Sequence, residues 1–306
     1  MTEATSHIIV LHVTSNLSIQ KAILETLAYS DVFDHPLTFD ELHRYLTKPA
    51  PRADLAACLN DMSLVHTEGG FYFLAHRQVI VNIRRTREQK SQPAFQRAMQ
   101  YGRILGALPF VRMAALTGSL AMLNLSQHVD MDFMLITRPG RLWLARALAV
   151  TFGRVMRLFG DRICVNLLVS ESALEWQTRD LYSAREICQM IPISGLETYQ
   201  HFRSVNTWTA SFLPHAGTAP VVTPQEGKSS AFQAWGEALL DGRLGSLLEA
   251  WAMKFQLGKI HRTYGSGREA NFSSDLCQGN FDDHRAGTNE SFHERLTSLF
   301  ESGSIT

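Results

Sequence analysis

Two short runs carry the residues best suited to chemistry. Thr117-Gly118-Ser119 is followed, after a ten-residue spacer, by Asp130-Met131-Asp132. Side chains alternate along a strand. If VDMDFMLIT is a strand, Asp130 and Asp132 share one flank, while Met131 and Phe133 face the other. Two carboxylates side by side repel unless a cation lies between them. A hard divalent ion such as Mg²⁺ takes oxygen ligands, commonly one or two carboxylates plus substrate phosphates. Gly118 lets a phosphate approach the backbone closely, and the Ser119 hydroxyl and adjacent amides can bind it.

These groups work only if neighbouring elements place them. FVRMAAL reads as a strand ending at Thr117, Leu120–Leu125 as a short helix, and VDMDFMLIT as the next strand. Arg141–Phe159 reads as a long helix and RICVNLLVS as a third strand, an α/β arrangement with helices packed on a sheet. LYSAREICQMIP and LETYQHFRSVNTW follow as helices. Pro214–Ser230 has linker composition, and Phe232–Tyr264 is helical. The last forty residues are polar, with one helix expected over Ser291–Phe300. Trp208 and Trp251 are expected in a core or an interface.

In order, spacing and expected structure, LTGSLAMLNLSQHVDMDFMLIT resembles the nucleotidyltransferase superfamily, which includes DNA polymerase beta and the minimal nucleotidyltransferases. The flanking segments LAYSDVFDHPLT, LYSAREICQMIP and NTWTASFLP resemble those of a bacterial group of nucleotidyltransferase-domain proteins. The resemblance implies an α+β fold, a mixed sheet with flanking helices. It implies Thr117, Gly118 and Ser119 at the phosphates of a nucleoside triphosphate, and Asp130 and Asp132 as catalytic residues holding Mg²⁺. The reaction would be attack of an acceptor hydroxyl on the α-phosphorus with loss of pyrophosphate. The family's third acid, on the following strand, is expected at Asn166, an amide that cannot take a proton. The alternatives are therefore a catalytically impaired nucleotide- or partner-binding protein of the same fold, or a winged-helix regulator.

Upstream, residues 18–80 read as three helices closed by a hairpin. IQKAILETLAYS carries a helical apolar stripe, and Thr38-Phe-Asp-Glu41 is a capping box. Arg52–Met62 places Leu55, Ala56 and Leu59 inward, and Glu68-Gly69-Gly70 turns a hairpin. This is a winged-helix pattern. Its charge argues against DNA: residues 1–80 hold five Lys or Arg against nine Asp or Glu, net minus four. Residues 84–112 reverse the sign, with seven basic residues against Glu88, and read as a helix interrupted near Pro93 with a solvated basic face. The expected layout is a winged-helix-like unit at 15–82, a nucleotidyltransferase-like unit at 95–212, a linker at 213–230 and a helical C-terminal region at 231–306.

The remaining composition narrows the class. The chain has 306 residues, enough for about two domains, with 29 Lys+Arg balanced by 29 Asp+Glu. No global field favours nucleic acid or a membrane. Cys58, Cys164, Cys188 and Cys277 are far apart, which excludes a zinc ribbon and suits a reducing cytoplasm. The apolar stretch Leu142–Phe159 is broken by Arg146, Arg154 and Arg157, so no membrane segment is expected. The histidines show no metal-ligand spacing, and Ser119 lacks the context of a hydrolase nucleophile.

Overall fold

The computed structural model describes residues 3–126, 129–217, 231–264, 270–279 and 284–301; side chains are described from Asn16 onward, except those of Asn166 and Tyr264. The chain is mixed α+β, with helices on both sides of a mixed sheet.

The N-terminal unit follows from local chemistry. It comprises α1 (Glu3–Asp31), β1 (Leu37–Thr38), α2 (Phe39–Arg44), α3 (Arg52–Asn60), β2 (Val65–Glu68) and β3 (Phe71–Leu74). Its three antiparallel strands lie in the order β1-β3-β2. The capping box forms: Glu41 N donates to Thr38 Oγ1 at 3.3 Å, and Thr38 N donates to Glu41 Oε2 at 2.8 Å. Gly69 and Gly70 have φ of 58° and 85°, the two left-handed positions a tight hairpin turn needs. Ile23, Leu24, Leu27, Leu37, Leu42, Leu46 and Leu55 fill its core. One inward position differs from expectation. Ala56 is exposed, and Cys58 joins Leu55 and Leu59 on the inner face, an i, i+3, i+4 set.

Helix α4 (Val79–Gly106) runs unbroken through Pro93, against the expected interruption. Proline removes one helical hydrogen bond. Tertiary packing outweighs that loss, because Ala94, Ala98, Gly102 and Leu105 bury one face. At Gly102 a Cβ would come within 2.2 Å of Ile193, so the helix rides close to the sheet. Arg85, Lys90 and Arg103 are exposed, as a solvated face requires, but three other basic residues depart from that reading. Arg84 is buried against Glu41 and Glu88, Arg87 reaches Asp34, and Arg97 pairs with Asp161.

The large sheet has the order β7-β4-β5-β6-β9-β8. Its strands are β4 (Val111–Thr117), β5 (Asp130–Thr137), β6 (Arg162–Ser170), β7 (Ile191–Ser194), β8 (Asn271–Phe272) and β9 (Leu276–Gln278). The β5–β6 pair is parallel and the others are antiparallel. The helices are α5 (Gly118–Ala121), α6 (Leu142–Arg157), α7 (Leu181–Gln189), α8 (Leu196–Val205), α9 (Ala231–Leu240), α10 (Arg243–Tyr264) and α11 (His284–Glu301).

Alternation along β5 sorts two cores. Met131, Phe133 and Leu135 pack with residues of α4, α6 and α10. Met134 and Ile136 pack on the other face with Ile187 of α7 and Tyr199 and Phe202 of α8.

Several expectations are corrected at the secondary-structure level. The helix expected over 120–125 is the single turn Gly118–Ala121, and the end of LYSAREICQMIP becomes strand β7. The C-terminal region is not purely helical, since β9 pairs with β6 and extends the sheet. Helix α11 begins at His284 rather than Ser291, and its Phe292 is buried in the N-terminal core. Leu213 and Ala216 are buried, so the expected linker starts later than residue 213; its residues 218–230 lie outside the described ones. Trp251 is 63% exposed rather than buried.

Candidate functional site

Asp130 and Asp132 continue the even-numbered row of β5, beyond the point where Met134 and Ile136 are covered by α7 and α8. Met131 and Phe133 are fully buried on the opposite flank. The two carboxylates therefore emerge together at the strand's open end. They line a cavity of about 700 Å³ together with Thr117, Gly118 and Ser119. That volume is in the range of small-molecule and cofactor sites.

The small-residue bend lies directly beside them. Thr117 and Asp132 are register partners across β4 and β5, and Thr117 Oγ1 donates to Asp132 O at 3.3 Å. Gly118 has φ of 66°, and a Cβ there would sit 2.8 Å from Asp132 Oδ2. Two separate constraints thus demand glycine. We expect Gly118→Ala to lower stability by about 1–2 kcal/mol through backbone strain and to displace the Asp132 carboxylate. Chemical denaturation paired with a Mg²⁺ titration checks both; an unchanged melting curve and unchanged Mg²⁺ response would contradict the close approach.

The electrostatics are those of an under-neutralised anion pair. Burial, together with the neighbouring Asp130, pushes the Asp132 carboxyl up to about 6, with His284 opposing. Arg162 Nε lies 3.3 Å from Asp130 Oδ1, yet outside hydrogen-bond geometry, so that buried oxygen accepts no hydrogen bond from the described residues. An orphaned carboxylate oxygen beside a second carboxylate suits a hard cation with oxygen ligands. Among the described residues, no group of three or more His, Cys, Asp and Glu could hold a metal ion. A cation here would rest on two carboxylates, with its remaining ligands from substrate or water.

The third-strand position expected at Asn166 lies outside the described side chains. Along the parallel β5–β6 pair, Asp132 is in register with Cys164, and the register shifts before Met134 meets Leu167. Asn166 falls within the shifted segment, and its side chain lies outside those described. Cys164 lines the cavity, where burial, then Asp132 and Asp130, push its thiol up to about 11. Without a bound cation it is a neutral thiol.

Another acid reaches the same cavity from α7. Glu186 has its carboxyl pushed up to about 7 by burial and by Asp132, and it accepts a hydrogen bond from Gln189 Nε2 at 2.5 Å. Sequence reading missed it because a lone Glu in an amphipathic helix carries no spacing signal.

The N-terminal unit supplies one wall. Tyr29, Ser30, Phe33 and His35 line the cavity. Phe33 O accepts hydrogen bonds from Arg87 Nη1 at 2.8 Å and Asn124 Nδ2 at 3.0 Å, while Asn124 N donates to Ser119 O at 2.8 Å. The wall is thereby tied to the Gly118-Ser119 bend. His35 is buried with no hydrogen-bond partner of regular geometry at either ring nitrogen. Burial, then Arg84, pushes its imidazole down to about 3, so it is neutral at physiological pH. Arg185 stacks 3.9 Å from the Tyr45 ring centroid and 4.9 Å from that of Tyr29.

The chain matches no family model, no curated protein and no solved structure. No helix among the described residues is long and apolar enough to cross a membrane.

Proposed function

We propose that the protein is a Mg²⁺-dependent nucleotidyltransferase, moving a nucleoside monophosphate from a nucleoside triphosphate to a hydroxyl acceptor. One observation carries this reading: Asp130 and Asp132 share one flank of β5, against the Gly118 bend, in a cavity large enough for a nucleotide. Asp130 and Asp132 would hold the ion, which when bound would neutralise charge on the phosphates and lower the barrier to displacement at phosphorus. Gly118, with no side chain of its own, lets the Asp132 carboxylate lie against the bend and keeps the backbone amides there accessible to a phosphate. Ser119 lines the same cavity and brings a hydroxyl donor to it. Arg162 and Arg146 add positive charge to the wall. Glu186 is poised to accept the proton of an acceptor hydroxyl, being a carboxyl whose affinity for protons is raised toward neutrality.

The test begins with binding. Calorimetry with ATP, CTP, GTP and UTP in turn is expected to show at least one that binds only with Mg²⁺. That affinity should fall about tenfold or more in Asp130→Asn/Asp132→Asn, since the ion loses both protein ligands. Label from the α-phosphate should then pass to an acceptor fraction with wild type alone. Metal-independent binding, or equal labelling by the double variant, refutes the assignment.

A further inference from the structure

A second groove runs between α6 and α10. The two helices lie parallel, as shown by Trp143 meeting Glu249 and Arg146 meeting Gln256. The groove has a volume of about 520 Å³. Five cations line it: Arg146, Arg154, Arg157, Arg162 and Lys259. No carboxylate is among its lining residues, in a chain whose overall charge is balanced. Arg154, Arg157 and Lys259 are exposed and make no ion pair among the described residues. Charges left unneutralised in one concave strip mark a polyanion site more than a solvated face.

Its second property is aromatic. Trp251 and Phe255 stand on the α10 wall with ring centroids 5.4 Å apart and planes 10° from parallel. They are 63% and 55% exposed, an unusual outlay of large apolar surface on one helix face. A flat stacked pair beside a row of cations matches the two requirements of single-strand recognition: bases stack on aromatic faces while the backbone follows the positive charge.

The third property is continuity. Arg146, Arg162, Cys164 and Ile260 line both this groove and the Asp130–Asp132 cavity. From Trp251 to Thr263, α10 spans about 18 Å, enough for a short strand to lie along it with one end at the carboxylates. We propose that the α6–α10 groove binds single-stranded nucleic acid and presents its terminal hydroxyl to the Asp130–Asp132 site. The proposal names the acceptor class and, in that respect, rests on the nucleotidyltransferase reading; the groove's occupancy does not. A single strand is preferred to an anionic lipid surface because the groove shares lining residues with the carboxylate cavity, which a strand can follow and a bilayer cannot.

Fluorescence anisotropy with labelled oligouridylate and oligodeoxyadenylate tests it. Wild type is expected to bind at least one of them, with affinity falling steeply as salt rises. Charge reversal at two exposed positions, Arg154→Glu/Arg157→Glu, should weaken binding about 100-fold. Trp251→Ala should weaken it about tenfold, the effect of one lost base stack. All three side chains are exposed, so circular dichroism melts should overlay that of wild type. Asp130→Asn/Asp132→Asn should keep the oligonucleotide affinity while losing label transfer; wild type that binds the oligonucleotide but transfers no label would sink the nucleotidyltransferase reading and leave the groove assignment standing. No oligonucleotide binding at low salt overturns the proposal. So does equal binding by the charge-reversed variant, or capture by phosphatidylglycerol vesicles without capture of either oligonucleotide.

Discussion

Asp132→Asn is expected to stabilise the metal-free protein by roughly 2 kcal/mol at pH 7 while lowering label transfer about 10³-fold. The two effects have one source. Asp132 holds its proton more tightly in the folded chain, up to about 6 against an ordinary 3.8, because burial and Asp130 oppose its charge. Between those values the folded state binds more protons than the unfolded state, so stability falls as pH rises. Above about pH 6 the full cost is in force, and asparagine removes it. Partial solvent access trims the figure below the full linkage value. Urea unfolding at pH 4 and pH 7 should therefore show wild type losing stability between them, with the variant losing less. Mg²⁺ should raise the melting temperature of wild type and leave the variant's unchanged. A variant less stable than wild type at pH 7 would mean that the carboxylate is held by favourable partners, and the strained-pair description would be wrong.

Arg84→Met is expected to cost about 3–5 kcal/mol, the largest loss we anticipate for a single substitution. Arg84 is 6% exposed and forks onto Glu41, with Nη1 2.7 Å from Oε2 and Nη2 2.9 Å from Oε1. Its Nε donates to Glu88 at 2.8 Å, and it also donates to the carbonyl of Pro36. Methionine fills much of the volume but leaves Glu41 charged, half-enclosed and without its cation. Glu41 also closes the capping box at Thr38, so the start of α2 would loosen as well. Adding Glu41→Gln should recover part of the loss, because the stranded charge is gone and the side chain can still accept from Thr38. Denaturant midpoints of the two single variants and the double variant measure this coupling. A loss below about 1 kcal/mol for Arg84→Met would show that water replaces the guanidinium freely.

The parts legible in the sequence are those with strong local rules. Thr38-Phe-Asp-Glu41 and Glu68-Gly69-Gly70 announce a helix start and a tight turn through side-chain and φ requirements that act within four residues. Period-two alternation placed both aspartates on one flank of β5, and RICVNLLVS coincides with β6. What escaped was set by distant partners. Strands β7, β8 and β9 are two to four residues long, too short for a pattern, and exist because neighbouring strands need their hydrogen bonds met. The alignment of Asp132 with Cys164 depends on a register shift that no spacing rule anticipates. Pro93 misled because a proline signals a break locally, whereas a long buried face on α4 overrides it. Tyr29, His35, Arg185 and Glu186 reach the site only through the packing of three separate segments.

Helix α11 has a bearing on how the polypeptide matures. Phe292 beds against Tyr29, and Arg295 Nε bonds Asp31 Oδ2 at 2.8 Å, so the unit around α1 is finished by a helix far downstream of it. A nascent chain must keep that apolar seam waiting while some two hundred and fifty residues are added. The same helix carries His284 and Arg285 to the cavity, so closing the seam and completing that wall depend on one late-made element.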